Sequence, residues 1–441
     1  MSILFSLLTA VLAFLLGAAH FWRIGQYGIS VACMLFPLFF LQMRGDWLRR
    51  ISHILLVALA GCWMWTAGEF VQIRQFLGQP WHRLAFILAG TALFTLLAAT
   101  LMNSESIRRR NSLQAAVSDL QLMAFFMVLF IFGGIWATRP GLLLLERLLP
   151  GFGALQCLLA ALWAGWVCGA LADQSRAAAF RMRIWKIFSL TFFIQLFLGI
   201  AVHGLFLLSG RLHIPVPGVI PAAWFYGQGS VFMLILYGIS ILLLGGAWCS
   251  HLCYFGVWDS LAAGRKPPIS RRRMPRSLPQ LRWLALMAVI AIPIFLRLAN
   301  FSIHVAVWSG LMLGLLMLPM SLLVSRRFGV VGYCAGICPL GLLANILSKF
   351  SPWRIRREER KCTSCRACIR VCRHGALTEN HLVRNAPGFG CTLCRDCLHV
   401  CHHDALHLTF FGLLCTRRAA TTAFVVLVSI AHTLFLWIAR V

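Results

Sequence analysis

Apolar runs long enough to cross a bilayer recur along the whole chain, near residues 2–19, 26–42, 51–68, 84–102, 120–137, 153–172, 186–208, 228–247, 281–298, 305–324 and 420–438. In lipid, a backbone without water must satisfy its own hydrogen bonds, and such runs do so as helices. The expected fold class is therefore a polytopic α-helical membrane protein of about eleven transmembrane spans. Composition agrees: only 12% of the 441 residues are charged, against roughly a quarter in soluble globular proteins. The first nineteen residues, MSILFSLLTAVLAFLLGAA, have the length of a signal sequence and end in small residues. They lack the positive n-region that such a signal needs, which favours an uncleaved first span.

The formal net charge is +28. A chain this basic raises the question of nucleic acid, but no basic, aromatic-interleaved soluble region exists to carry that function, so no nucleic-acid partner is expected. The charge is instead distributed by loop. One set of loops contains Arg44, Arg49, Arg50, Arg108 to Arg110, Arg176, Arg181, Arg183 and Lys186. The same set continues with Arg265, Lys266, Arg271 to Arg273, Arg276, Arg326 and Arg327. The intervening loops hold scattered positives such as Arg23, Arg74, Arg139 and Arg211. By the positive-inside rule the basic set faces the cytoplasm. The expected placement is a bacterial inner membrane, crossed many times, with the amino terminus inside and the carboxyl terminus outside.

Residues 351–410 form the one stretch that reads as a soluble domain, inserted before the last span. It is too short for a large core, and domains of this size usually need a metal or disulfides. It supplies thiols in two identical runs: Cys362, Cys365, Cys368, Cys372, then Cys391, Cys394, Cys397, Cys401. Each is C-x2-C-x2-C-x3-C, the run that binds [4Fe–4S] clusters in two-cluster ferredoxins, where the fourth thiol ligates the other cluster. The expected ligand sets are Cys362, Cys365, Cys368 and Cys401 for one cluster, and Cys391, Cys394, Cys397 and Cys372 for the second. Zinc sites typically pair C-x2-C units across a longer loop and fit less well. Between residues 354 and 410 there are ten Lys or Arg against five Asp or Glu. That balance favours reduced clusters and raises their potentials. His374, His399, His402 and His403 flank the thiols and read as solvated surface residues.

A second pattern ends the eighth span and follows the tenth. AWCSHLCYFG and GYCAGICPLG both read as an aromatic residue, C-x3-C-x-x-G and then an apolar run. Cys249 and Cys253 would share one face of a helix. Pro339 argues against a continuous helix after Cys338 and suits the first turn of a new one. The repetition suggests a duplicated unit with a site at its interface. Four such thiols suit iron, copper or a redox disulfide; alternatively they are packed, inert cysteines.

C-x3-C segments after alternate spans, followed by a two-cluster domain, resemble the NapH, NosR and CcoG-type membrane polyferredoxins, over roughly residues 186–410. GYCAGICPLG carries that family's C-x3-C-P motif at Cys334, Cys338 and Pro339, whereas Tyr254 stands where the family has Pro. The resemblance implies electron transfer linked to the quinone pool, or reduction and maturation of a metal cofactor elsewhere. Four regions are expected on this reading. They are a six-helix membrane region of unassigned role at 1–185, a four-helix core at 186–350, the α+β two-cluster domain at 351–410 and a final helix at 411–441. The expected function is electron transfer between the quinol pool and a partner redox protein through two [4Fe–4S] clusters. The alternative is a cofactor-assembly factor that binds or reduces copper at the C-x3-C pairs. Intramembrane ionisable residues are candidates for proton work, here Glu69 and Glu146. His203 and His304 are weaker candidates for haem ligation.

Overall fold

The computed structural model describes residues 3–42, 46–105, 107, 115–173, 176–206, 224–227, 231–264, 280–302, 304–306, 308–309, 312, 317–411 and 417–438. Among the described residues, eight helices are long and apolar enough to cross a membrane, and two shorter apolar ones accompany them. Residues 307, 310–311 and 313–316 of the expected span at 305–324, the basic loop at 265–276 and Arg108 to Arg110 lie outside the described residues. The chain divides into two compact units, Met1–Gly169 and Ala170–Ala439.

The first unit contains α1 (Ile3–Arg23), α2 (Tyr27–Gln42), α3 (Asp46–Phe76), α4 (His82–Leu101), α5 (Ala115–Thr138) and most of α6 (Gly153–Ala172). Asp46 opens α3, where a negative charge suits the positive end of the helix dipole, and ion-pairs with Arg49 and Arg50. Leu59, Trp63 and Ala92 form a small core between α3 and α4. Gly28 donates to the Gly151 carbonyl at 3.0 Å, an approach that a Cβ, which would lie 2.3 Å from that oxygen, forbids. Glu146 has a structural task. Its carboxylate accepts from the backbone N–H groups of Gly151 and Gly153, satisfying donors at the start of α6 that the helix cannot pair itself.

The second unit begins with α7 (Ala177–Ala201). This helix starts well before residue 186, where hydropathy alone places the span, because Arg181, Arg183 and Lys186 continue the helix below its apolar part. Then come α8 (Val231–Leu244), the short α9 (Gly256–Ala262), α10 (Leu281–Leu298) and α11 (Pro339–Leu347). The domain that follows is framed by β1 (Trp353–Arg357) and β2 (Leu406–Phe410), which pair antiparallel from Trp353↔Phe410 to Arg357↔Leu406. Between them lie α12 (Ala367–Val371) and α13 (Asp396–His399); α14 (Arg417–Trp437) follows. Pairing of the first and last strands brings both ends of the domain together, and Phe411 N–H closes the frame on the Pro352 carbonyl at 2.7 Å. Trp353 anchors it. Its indole N–H donates to Leu243 O at the end of α8, 2.7 Å away, and its ring packs on Phe410 and on Phe424 of α14.

Candidate iron–sulfur sites

The two thiol runs wrap in the same way. In each, the residues on either side of the second cysteine take the left-handed conformation: Ser364 and Arg366 around Cys365, Leu393 and Arg395 around Cys394. A non-glycine residue in that region costs roughly 1 kcal/mol or more, and such strain clusters where a ligand repays it. The double reversal curls three cysteines around a common centre before α12 or α13 begins. It leaves the fourth cysteine, past the helix, aimed elsewhere.

The thiols consequently line two hollows. The outer hollow is lined by Cys362, Cys365, Cys368 and Cys401. The inner hollow is lined by Cys372, Cys391, Cys394 and Cys397. Each run thus lends its fourth thiol to the other run's centre. Among the described residues no three His, Cys, Asp or Glu side chains close to the spacing of a single metal ion. Four thiols from this spacing around each hollow suit a polynuclear iron–sulfur group better than a single ion. No disulfide joins any of the described cysteines.

The two centres differ in setting. At the outer one Cys365 is exposed, and a hydrogen bond from Arg357 holds the Cys362 thiol below its usual range. At the inner one burial pushes Cys391 up to about 12 and raises Cys394 and Cys397 as well. Four such thiolates, held together and largely shielded from water, call for a compensating metal centre, because binding replaces the protons that desolvation would otherwise retain. His374 lines the inner hollow, and burial holds its pKa down to about 4, as it does for His399. His374 and His399 are half-buried rather than solvated surface histidines, whereas His402 and His403 are exposed. The spacing hid the distinction because both pairs sit equally close to thiols in sequence.

The inner centre is seated on the first C-x3-C segment. Gly246 lies so close to the Cys391 carbonyl that a Cβ would stand 2.4 Å from it. Ser250 Oγ, between Cys249 and Cys253, donates to Thr392 O at 2.8 Å. Arg181 of α7 donates to both carboxylate oxygens of Asp396 and to Ser250 O. Asp396 and Arg181 are both buried, so this positive residue serves as a structural ion pair. The second C-x3-C segment touches the same centre: Val331 N–H donates to the carbonyl of Arg373, next to Cys372, at 2.9 Å.

Each C-x3-C segment forms a short helical turn that ends before its second cysteine and is followed by another helix. Trp248–Leu252 forms one wide helical turn, Cys253 breaks it and α9 follows. Gly332–Gly336 forms the other turn, Cys338 breaks it and α11 follows, with Pro339 in its first turn. Cys338 Sγ accepts from the Gly341 N–H at 3.3 Å. Asp259 of α9 stitches the two together, accepting from Ser325 Oγ and from the Cys334 N–H. Tyr237 of α8 donates to Leu340 O at 2.7 Å. The four thiols gather in one place: Cys253, Cys334 and Cys338 pack in a cluster with Tyr254, Phe255 and Tyr333, and Cys249 lies in electrostatic reach of Cys253 and Cys338. Burial raises all four, Cys253 up to about 12. Asp259 and Arg282, a buried cation beside these thiols, escape sequence reading; a lone acid or base at a helix end carries no pattern.

Glu69 and Glu146 are not brought to any thiol centre. His203 makes one local contact, its Nδ1 accepting from the Leu205 N–H at 3.1 Å.

A protein-family model described as a 4Fe-4S binding domain matches residues 228–276 and again residues 311–358. The matched segments hold Cys249 with Cys253 and Cys334 with Cys338, and the match ends ahead of Cys362. Among curated proteins, the chain is 25% identical over 162 residues to the putative electron transport protein YccM of Escherichia coli, covering 32% of this chain and 45% of the relative. It is 26% identical over 155 residues to the methylamine utilization ferredoxin-type protein MauN of Methylobacillus flagellatus, covering 32% and 52%. An uncharacterized protein of Methanocaldococcus jannaschii is 24% identical over 151 residues, covering 32% and 57%. The matches thus span about half the length of each relative. No solved structure matches the chain. Fold, thiol centres and matches together define the class: a membrane protein with an iron–sulfur, ferredoxin-type region in its C-terminal half.

Proposed function

We propose that the chain is a membrane-bound electron-transfer protein of the NapH, NosR and CcoG type, holding redox groups at three thiol centres in series. The membrane thiols Cys249, Cys253, Cys334 and Cys338 come first, the inner centre of Cys372, Cys391, Cys394 and Cys397 second, and the outer centre of Cys362, Cys365, Cys368 and Cys401 last. When bound, [4Fe–4S] clusters at these centres supply one-electron carriers. The observation that carries the order is the seating of the Cys391–Cys394 loop on Gly246 and Ser250. The membrane thiols and the inner centre share one packed contact, while Cys365 at the outer centre faces solvent.

The chain's own residues hold that order rigid. The Arg181–Asp396 pair and the Trp353 indole fix the domain against the helices, and the antiparallel β1–β2 pair clips its two ends together. In this reading quinol is the donor within the helical part, and a redox protein meets the outer centre on the cytoplasmic side, where the basic loops lie. YccM by name transports electrons and MauN by name is ferredoxin-type, which suits the same chemistry. The test is addition of quinol to the anaerobically purified chain in lipid vesicles. Clusters that turn reduced in step with the quinol/quinone ratio support the reading; clusters that stay oxidised at every ratio overturn it.

A further inference from the structure

Arg282 opens α10 and is only 5% exposed, whereas its neighbours Trp283 and Leu284 face outward. A buried cation is costly unless an anion or several hydrogen bonds compensate it. Among the described residues Arg282 makes no ion pair. With its oxygen turned toward the guanidinium, the Asn345 amide of α11 accepts from Nη1 and Nη2 at 3.0 Å, and Nε has no partner. A neutral amide leaves the charge itself unanswered.

The surroundings show where the answer lies. Arg282 is buried, and the groups whose negative charge it would meet on ionisation are Cys338, Cys249, Cys334 and Tyr237. Gly341 lets it approach: a Cβ there would stand 3.1 Å from Arg282 Nη2 and 3.0 Å from the Cys334 carbonyl. Asp259, the buried carboxyl at this site, is committed to Ser325 and the Cys334 N–H and does not pair with Arg282. Four neutral thiols, or two disulfides, would leave the guanidinium buried without a counter-charge. Four thiolates around a metal centre would supply one, since a cube of iron and sulfide held by four thiolates carries net negative charge.

We propose that Arg282 is the counter-cation of an anionic iron–sulfur group held by Cys249, Cys253, Cys334 and Cys338. This rests on the three-centre reading above and deepens it by assigning a positioning residue that touches no electron partner itself. Its charge faces the group from the α10 side, so it stabilises the more negative, reduced state and raises the midpoint potential of that centre relative to one without it. It also makes the site's stability depend on loading.

The experiment compares the full chain with Arg282→Gln, Arg282→Lys and Arg282→Met, purified anaerobically, by iron and copper analysis, low-temperature EPR and redox titration. With three loaded centres the unmodified chain carries about twelve irons, four per cluster. Arg282→Gln is expected either to fall to about eight irons, losing only the membrane signal, or to keep that signal at a lower midpoint potential. Arg282→Lys is expected to restore both. Thermal unfolding adds a readout that separates charge pairing from packing. Arg282→Met should lower the melting temperature of the loaded chain, yet raise it in a Cys249→Ser, Cys334→Ser background where no anion forms. An Arg282→Gln chain with unchanged iron and unchanged potential overturns the role of Arg282 while leaving the third centre intact. An unmodified chain with about eight irons, whose spectra do not respond to Cys334→Ser, overturns the third centre and with it the counter-cation. Copper bound stoichiometrically in place of the extra iron overturns the iron assignment.

Discussion

Gly246→Ala isolates the contact on which the order of the three centres depends. The added methyl would lie 2.4 Å from the Cys391 carbonyl oxygen and 2.9 Å from Thr392 Cα, where ordinary contact begins at 3.4 Å. Both obstacles are backbone, so the loop that carries Cys391 and Cys394 must retreat by about 1 Å, since a packed interior has no slack to absorb it. Overpacking of this kind costs about 1–3 kcal/mol. The same retreat stretches the 2.8 Å bond from Ser250 Oγ to Thr392 O to about 3.8 Å, beyond hydrogen-bond length, removing about 1 kcal/mol more. The expected total is about 2–4 kcal/mol. Thermal unfolding followed by cluster absorbance reads the loss, and rapid-mixing reduction of the inner centre reads the longer gap. Iron content should be unchanged, because no thiol is touched. Gly238→Ala in α8 is the control: nothing lies within 4 Å of its Cβ, and alanine favours a helix interior. If Gly246→Ala unfolds and reduces like the unmodified chain, the inner centre is not seated on the first C-x3-C segment.

Two further outcomes follow from the same geometry. Removing one partner of the buried Arg181–Asp396 pair, 2.7 Å apart, with Arg181→Met or Asp396→Asn should cost about 3–5 kcal/mol in thermal or denaturant unfolding, because it strands the other. The double replacement Arg181→Met with Asp396→Leu should recover most of that; a double variant as weak as the sum of the singles would show that the charges do not pair. Stripping iron with a chelator under reducing conditions should loosen the turns at Ser364, Arg366, Leu393 and Arg395, whose left-handed conformations a bound group would help to repay. Limited proteolysis should then cut the domain between residues 362 and 401, and protection of the stripped domain equal to that of the loaded one would contradict the strain argument.

The spacing C-x2-C-x2-C-x3-C is a local instruction, and the structure shows its shape: reversals at Ser364, Arg366, Leu393 and Arg395, then a short helix ahead of the fourth thiol. Membrane helices were legible for a similar reason, since an apolar run states its own length. Pro339 likewise announced the break after Cys338, because a missing N–H belongs in the first turn of a helix. The residues that join these parts were not legible. Arg181 counts as one more cytoplasmic positive until α7 is seen to run beneath the domain and bury it against Asp396, more than two hundred positions away. Arg282 looks like an ordinary flank of an apolar helix, and only the approach of α11 through Gly341 shows that it turns inward. Glu146, a candidate for proton work by its composition, instead closes the start of α6, a task set by the path of the chain between residues 146 and 153. Pattern reveals what one segment needs for itself, and pairing across the fold remains hidden until the segments meet.

Single-cysteine replacement with spectroscopic counting of the surviving clusters tests the central claim most directly. Cys401→Ser should disturb the outer centre of Cys362, Cys365 and Cys368 while the inner signal persists, and Cys372→Ser should do the reverse. Disturbance of the centre nearer in sequence in both variants, or zinc in place of iron in the unmodified chain, would contradict the account.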